Sequence, residues 1–251
     1  MSRIISKEDL KEHKERSINS LSSYLDKLIS SDDPNLQGKA DKLSFWIQDW
    51  AKFLDYESEF VPSHLRRYKR GEIIKAHLGF NIGSEEGGLH YCVIMDKNNS
   101  INSPVITVIP LTSVKATTDL QHLRQGNVYL GNELFTSLNS KLSHNLKIAR
   151  ERSNALYSTL HALPEDCDME IRHDYEQQMK SVSDTVDFCE RMQKEVNKMK
   201  QGSIALVKQI RTISKIRIYD PKTNYDVLSN VKLSNEKLDL LDTEIIRNFT
   251  K

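Results

Sequence analysis

A glycine-rich loop is the first part of the sequence with an evident capacity for chemistry. The stretch GFNIGSEEGGLHYCVIM spans residues 79–95 and holds two adjacent glutamates, Glu85 and Glu86. Glycine permits tight turns, and its missing side chain lets a phosphate or a base approach the backbone. A carboxylate in such a place could read a base edge, orient a cation or accept a proton, or it could simply close the loop by a hydrogen bond. Five of the nine glycines crowd into residues 71–88: Gly71, Gly79, Gly83, Gly87 and Gly88.

Two basic stretches could supply positive charge for a nucleic acid. The first, HLRRYKRGEIIK, surrounds Tyr68, whose ring could stack on a base. The net charge of the chain is only +1, so attraction for a polyanion must come from such local patches. Charge runs also form plain solvated surface, and Arg211 could instead brace the loop through a buried ion pair. The basic residues are Arg66, Arg67, Lys69, Arg70 and Lys75, then Arg211, Lys215 and Arg217.

Histidines and cysteines show no spacing typical of a metal site. The eight histidines are scattered, and no acidic cluster surrounds them. Cys92, Cys167 and Cys189 are odd in number, which predicts reduced thiols in a cytosolic protein. No apolar run approaches the roughly 20 residues of a membrane span, and the charged start lacks the apolar core of a signal peptide. We therefore predict no metal, no other cofactor and a cytoplasmic location without a membrane partner.

The elements that must position these residues change in type along the chain. Apolar residues at gaps of three and four predict an amino-terminal helical hairpin over residues 1–62, broken by SSDDPN. The segments GEIIKAHLGF, YCVIMDKN, SPVITVIPLTS and VYLG are short, rich in Ile and Val and bounded by turn residues, as strands are. Together they predict a small, strongly bent sheet or barrel.

A long helical stretch interrupts this strand pattern. Residues 133–201 carry apolar positions at gaps of three and four on one side of two limbs, which predicts an antiparallel coiled-coil arm with a turn at ALPEDCDM. Strands resume at GSIALVKQIRTISKIRIY, and a Ser234-capped amphipathic helix ends the sequence. Since GSIALV needs partner strands, the arm is predicted to be an insertion, and residues 63–132 and 202–251 to form one domain.

Four motifs in this order resemble the MazF/PemK family of toxin endoribonucleases. They are the RGEI opening strand, the GSEEGG loop, the strand ending in PLTS and the QIRT strand. The resemblance covers residues 66–131 and 202–250. It implies an α+β fold with a small SH3-like barrel that dimerises. It also implies metal-independent cleavage of single-stranded RNA, in which the 2′-hydroxyl attacks the adjacent phosphate, and a cognate antitoxin that covers the RNA groove.

The resemblance also assigns candidate site residues. The family usually has an Arg two residues after the paired glycines, acting with a Thr at the end of the PLTS strand; here these positions are His90 and Thr112. A His titrates near neutral pH, whereas an Arg only neutralises charge. Some members place an Arg and an Asp before the QIRT strand, but Leu206 and Lys208 stand there. The predicted catalytic residues are therefore His90, Thr112 and Glu85, with Glu86 taken as solvated. The predicted RNA contacts are Arg70, Ser84, Gly87, Gly88, Ser113, Gln209 and Arg211.

Because His90 stands where the family usually has an Arg, the function is not fixed by the resemblance, and three functions are considered. The chain is expected to be an RNA-cutting toxin in a toxin–antitoxin or phage-defence setting. Alternatively, the site is weakened and the arm binds a partner protein. A third reading, a gyrase poison of the related CcdB type, is less favoured because such a protein needs no RNA-cleaving groove.

Overall fold

The fold combines runs of helices with runs of antiparallel strands, and the computed structural model describes residues 5–162, 169–200 and 202–251 of the chain. The α+β class is confirmed, whereas the SH3-like barrel and the coiled coil remain predictions. Most of the predicted turn at 162–169, and Cys167 within it, lies outside the described residues. The described helices are α1 (Lys7–Ile29), α2 (Pro34–Tyr56), α3 (Glu133–Ala162), α4 (Met169–Lys198) and α5 (Asn235–Phe249).

The described part of residues 1–59, together with residues 79–83, forms one compact unit. Helix α1 begins with a capping box, in which the Ser6 hydroxyl accepts from the Asp9 amide and the Asp9 carboxylate accepts from the Ser6 amide. Asp33 caps α2, and Pro34 occupies its first turn. Within this unit the rings of Trp46 and Phe53 lie 6.2 Å apart. The apolar spacing thus correctly predicted two helices here.

Residues 60–78 and 84–251 form the second unit, which contains the sheet, α3, α4 and α5. Its strand order is β4-β5-β3-β2-β1-β7, with β6 paired to β3. The long strand β3 thus pairs with β2, β5 and β6. The strands are β1 (Ile73–His77), β2 (Leu89–Ile94), β3 (Val105–Ser113), β4 (Asn127–Gly131), β5 (Ser203–Leu206), β6 (Arg211–Ser214) and β7 (Ile218–Asp220).

Both faces of this sheet are buried, because apolar residues alternate between two clusters. Ile73, Val93 and Ile109 pack in one cluster with residues of α3, α4 and α5. Ile74, Cys92 and Val108 belong to the other cluster, beneath Tyr68. Adjacent residues of a strand point to opposite faces, which accounts for this division. The position of a residue along its strand therefore determines the face of the sheet to which its side chain points.

The helices α3 and α4 pack on each other and on the sheet, which they also contact through polar side chains. Arg152 of α3 contacts Ser181 of α4, whereas Lys141, earlier in α3, lies over the ring of Phe188, later in α4. The two helices therefore run antiparallel. At the end of α4, the Glu195 carboxylate accepts hydrogen bonds from Lys75 of β1 and Tyr91 of β2. These contacts attach α4 to the strand that carries His90.

Candidate active site

The turn before β2 depends on glycine for its backbone conformation. Gly83 and Gly88 have φ values of 64° and 85°, a region that L side chains rarely adopt. A Cβ atom at either position would meet no other atom within 4 Å, so conformation rather than crowding requires glycine there. The Gly88 carbonyl accepts from the Leu78 amide at 2.7 Å. The turn thereby returns the chain, so that the residues before Gly87 face the start of β2.

His90 lies at the start of β2 with both ring nitrogens near oxygen acceptors. Its Nδ1 is 3.2 Å from the Leu111 carbonyl of β3, and its Nε2 is 3.2 Å from the Glu86 carboxylate. The side chains of His90 and Glu86 are each 24% exposed. A carbonyl can only accept, so Nδ1 must carry a hydrogen. The Glu86 carboxylate is therefore placed to accept a hydrogen bond from Nε2 whenever that nitrogen also carries a hydrogen.

Thr112 lies on β3, the strand next to that of His90. β2 and β3 pair in the register Cys92↔Pro110, Val93↔Ile109 and Ile94↔Val108. Beyond this register, the His90 ring contacts the carbonyl of Leu111, the residue before Thr112. Thr112 is half-buried and pairs with Ile204 of β5. The joint role of His90 and Thr112 in one site remains a prediction.

Gln209 fixes the loop that carries Glu86. Its side-chain oxygen accepts from the Glu86 amide at 2.7 Å and from the Arg211 guanidinium at 3.0 Å, while its amide nitrogen donates to the Ser84 carbonyl at 2.9 Å. Arg211 also donates to the Gln209 carbonyl at 3.3 Å. Arg211 therefore braces the loop through Gln209 and not through the buried ion pair considered from the sequence.

A surface depression of about 610 Å³ lies next to this clamp. Three of the predicted RNA contacts, Ser84, Gln209 and Arg211, line it together with the exposed Glu85. Lys208 adds a second cation to its wall.

The buried thiol of Cys92 lies below the sheet surface. Burial raises the pKa of this thiol to about 12. The charge of Arg211 lowers this pKa and that of Glu86 raises it, so both charges lie near the thiol.

The expectation that Glu86 is simply solvated is wrong. Glu86 is half-buried and its carboxylate lies 3.2 Å from the His90 Nε2, whereas Glu85 is exposed and makes no hydrogen bond or ion pair with a described residue. The sequence did not identify Glu86, because the side chains of an irregular turn do not follow a periodic pattern from which their direction could be predicted. The available signal was the pair of glycines that follows it, which allows the chain to reverse within two residues.

Several predicted RNA contacts have structural partners away from His90. Arg70 donates to the Met95 carbonyl at 2.6 Å and bonds to Asp242 of α5, near the opposite end of β2. Tyr68 is 2% exposed and donates to the Pro221 carbonyl at 2.7 Å, so its predicted stacking on a base is wrong. Arg66 pairs with Glu72 at 2.9 Å, both side chains being 5% exposed. Gly87 and Gly88 are half-buried in the turn, and Ser113 pairs with Ser203.

Across residues 5–162, 169–200 and 202–251, no group of three or more His, Cys, Asp or Glu side chains is arranged to hold a metal ion. None of the helices in this described part is long and apolar enough to cross a membrane.

Comparison with known proteins matches part of this chain to one family. Residues 69–161 match the family model described as PemK-like, MazF-like toxin of type II toxin–antitoxin system. The match contains β1 to β4, the glycine-rich turn, His90 and Thr112, and it continues into α3. No curated protein matches the chain. The place of residues 202–250 in the same core remains a prediction, which the pairing of β5 and β6 with β3 supports.

Proposed function

We propose that the chain is a member of the PemK-like, MazF-like toxin family, whose model matches residues 69–161, and that it cleaves single-stranded RNA without a metal ion. Members of this family are toxins of toxin–antitoxin systems and generally endoribonucleases. One observation carries the proposal for this chain: an imidazole and a threonine hydroxyl lie on adjacent strands, and a carboxylate oxygen lies 3.2 Å from the imidazole Nε2.

Cleavage of this kind needs three contributions from the protein. A base removes the proton of the 2′-hydroxyl, and the 2′ oxygen then forms a bond to phosphorus. The bond from phosphorus to the 5′ oxygen breaks, an acid protonates that oxygen, and the products are a 2′,3′-cyclic phosphate and a 5′-hydroxyl. Donors or cations must also compensate the charge that gathers on the phosphoryl oxygens.

The side chains near His90 can be matched to these tasks. The Glu86–His90 pair exchanges a proton with the substrate. Because Glu86 lies against Nε2, this proton passes through the Glu86 carboxylate, or Glu86 rotates away and Nε2 contacts the substrate directly. The Thr112 hydroxyl donates to a phosphoryl oxygen. Arg211 and Lys208, on the wall of the depression, bind the phosphates of the flanking nucleotides. Ser84 and Glu85 contact the bases in the same depression.

A cleavage assay with EDTA tests this proposal. We expect purified protein to cut a single-stranded RNA in excess EDTA, leaving a 2′,3′-cyclic phosphate at one new end and a 5′-hydroxyl at the other. His90→Ala and Thr112→Ala should each lower the rate by a factor of roughly 10² or more. Cutting that requires a divalent ion, or variants as active as the parent, would contradict the assignment.

The two adjacent glutamates provide a matched pair of variants. Glu86→Gln keeps the size of the side chain but removes the acceptor charge at Nε2, so we expect a loss of at least about tenfold. Glu85→Gln makes the same chemical change one residue away, on an exposed side chain, and should cost less. Equal losses in both variants would show that the His90 contact is not what matters.

The family also implies an antitoxin partner, and we propose that this antitoxin covers the depression and that the toxin is a homodimer. Light scattering on purified protein tests the homodimer. If the protein cuts no RNA but captures one protein through residues 133–200, the interaction module is the better reading.

A further inference from the structure

A second cavity lies away from the candidate active site, between the arm and the segment that follows β7. Its volume of about 770 Å³ falls within the range of small-molecule pockets, roughly 300–1,000 Å³. None of its lining residues has a part in the function proposed above. The side chains that matter here are Lys141 of α3, Lys180 and Arg191 of α4, and Asn224, Tyr225 and Asn230 of the segment 221–231.

One wall of this cavity is fixed by Lys141. Its ammonium group donates to the carbonyls of Val227 and Ser229, each at 2.8 Å, and to that of Asp226 at 3.3 Å. Burial lowers the pKa of Lys141 to about 8, and the side chain forms no ion pair with a described carboxylate. The three carbonyls accept hydrogen bonds from the ammonium group, and these bonds join α3 to the segment 221–231. The wall is therefore ordered before any ligand arrives, and its charge has no direct counter-ion.

Arg66 orients two asparagines on the opposite wall. Its guanidinium donates to the side-chain oxygen of Asn224 at 3.2 Å and to that of Asn230 at 3.4 Å. Arg66 is itself held by the buried carboxylate of Glu72. Because the oxygens of both amides are occupied, their NH₂ groups remain as hydrogen-bond donors, and neither group bonds to a residue within the described part of the chain.

The charge of the cavity lining favours an anion. Three cations, Lys141, Lys180 and Arg191, face one carboxylate, Asp184. Neither Lys180 nor Arg191 forms an ion pair with a described residue, although Arg191 lies over the Phe188 ring at 5.6 Å. An exposed aromatic, Tyr225, completes the rim, with 84% of its surface accessible. Cations, amide donors and an exposed ring together match a ligand that has a phosphate, acceptor atoms and a planar aromatic group.

We propose that this cavity binds a nucleotide. Lys180 and Arg191 bind its phosphate, Tyr225 stacks on its base, and the amide groups of Asn224 and Asn230 donate to acceptors of the base or the sugar. The nucleotide is either a free mononucleotide or a terminal residue of an RNA. This inference does not depend on the RNA-cleaving activity proposed for His90.

Calorimetric titration of the full-length protein with AMP, adenosine and inorganic phosphate tests the proposal. We expect AMP to bind with a Kd below about 1 mM and more tightly than either adenosine or phosphate. The double variant Lys180→Ser/Arg191→Ser should weaken AMP binding by about tenfold or more. Tyr225→Ala should remove most of the advantage of AMP over phosphate.

A matched double variant controls for the change in net charge. Arg172→Ser/Lys194→Ser removes two cations from the same helix but outside the cavity, so AMP binding should stay within about twofold of the parent. No binding of AMP at about 10 mM, phosphate that binds as tightly as AMP, or equal losses in the two double variants would overturn the proposal.

The source of the nucleotide can be separated in the same experiment. A 5′-phosphorylated RNA tetramer is titrated into the His90→Ala variant, which limits cleavage. If the tetramer binds at least about tenfold more tightly than AMP, and the Lys180→Ser/Arg191→Ser change removes that advantage, the ligand is an RNA end. If the tetramer and AMP bind alike, a free mononucleotide is the ligand.

Discussion

His90 is held on both sides of its ring, which restricts the proton states that fit its surroundings. The Leu111 carbonyl accepts a hydrogen bond from Nδ1, and the carboxylate of Glu86 lies 3.2 Å from Nε2. The ring can therefore act in two different ways, as a positive charge or as a partner in proton transfer. We favour proton transfer, because the adjacent carboxylate can accept and return a proton.

Replacement of His90 by arginine separates these two roles. Arginine keeps the positive charge but does not exchange its proton near neutral pH, because its pKa is above 12. If His90 transfers a proton, His90→Arg should be as slow as His90→Ala, about 10²-fold below the parent. The measurement is the single-turnover cleavage rate at saturating enzyme.

The control for this substitution is His90→Gln, which has neither the charge nor a transferable proton. We expect Ala, Gln and Arg variants to form one slow group. Activity of His90→Arg within about tenfold of the parent would contradict proton transfer and assign position 90 to charge compensation.

The thiol of Cys92 should be inert in the folded protein. Burial raises its pKa to about 12, so at pH 8 only about one molecule in 10⁴ carries the reactive thiolate. We expect no alkylation of Cys92 by iodoacetamide at pH 8 over hours, and full alkylation in urea, as measured by peptide mass spectrometry. Rapid labelling of Cys92 in the native protein would show that β2 opens readily.

At the scale of secondary-structure elements, the sequence predicted more than it did for single residues. Alternating apolar residues gave the strands near 70–131, and the hydroxyl of Ser234 caps α5 as expected. The segment 203–220 was harder to divide, since its apolar pattern continues through two short 3-10 turns that separate β5, β6 and β7. The partners of Arg70 and Tyr68 could not be predicted either, because Asp242 and Pro221 lie far along the chain and only the tertiary fold brings them near.

The contact between the segment after β5 and the glycine-rich turn can be tested through Gln209. Gln209→Ala removes two hydrogen bonds that hold residues 84–86 and a third to Arg211, so Glu86 should lose its fixed position beside His90. We expect kcat to fall by about 10-fold to 10²-fold with a smaller change in KM. The free energy of unfolding should fall by no more than about 3 kcal/mol, because each such bond contributes about 1 kcal/mol or less.

Gln193→Ala is a suitable control, since among the described residues the side chain of Gln193 bonds only to Asn197, within α4. This variant should keep the kcat of the parent. A Gln209→Ala variant with unchanged kcat would mean that the turn holds Glu86 in place without the clamp.

At the scale of the whole molecule, charge is nearly balanced, and the cations that remain available near the site are few. Of the first basic stretch, Arg66, Arg70 and Lys75 bond to carboxylates. In the second, Lys215 is buried and donates to the Ser100 carbonyl at 3.0 Å. Lys208 and Arg211 remain at the depression. RNA binding should therefore depend on a small number of phosphate contacts.

This count predicts a weak dependence of RNA affinity on salt. Each phosphate contact with a single strand contributes a slope of roughly 0.7 when the logarithm of affinity is plotted against that of salt concentration. Two contacts therefore predict a slope of about 1.4, measured by fluorescence anisotropy with the His90→Ala variant. Arg211→Gln should reduce the slope by about 0.7. A slope above about 4 would instead require a broad basic surface.

The contacts of Glu195 have a consequence for anyone who wishes to build a smaller version of this protein. Gly131 and Ser203 are cross-strand partners, so a short hairpin connection could in principle replace everything between them. The shortened chain, however, would leave the ammonium of Lys75 and the phenol of Tyr91 without the acceptor they share in the intact protein. Lys75→Met and Tyr91→Phe would have to accompany the deletion, and so would polar replacements in the apolar cluster that α3 and α4 share with the sheet. Otherwise a loss of activity would reflect orphaned polar groups and exposed apolar surface rather than any task of the arm.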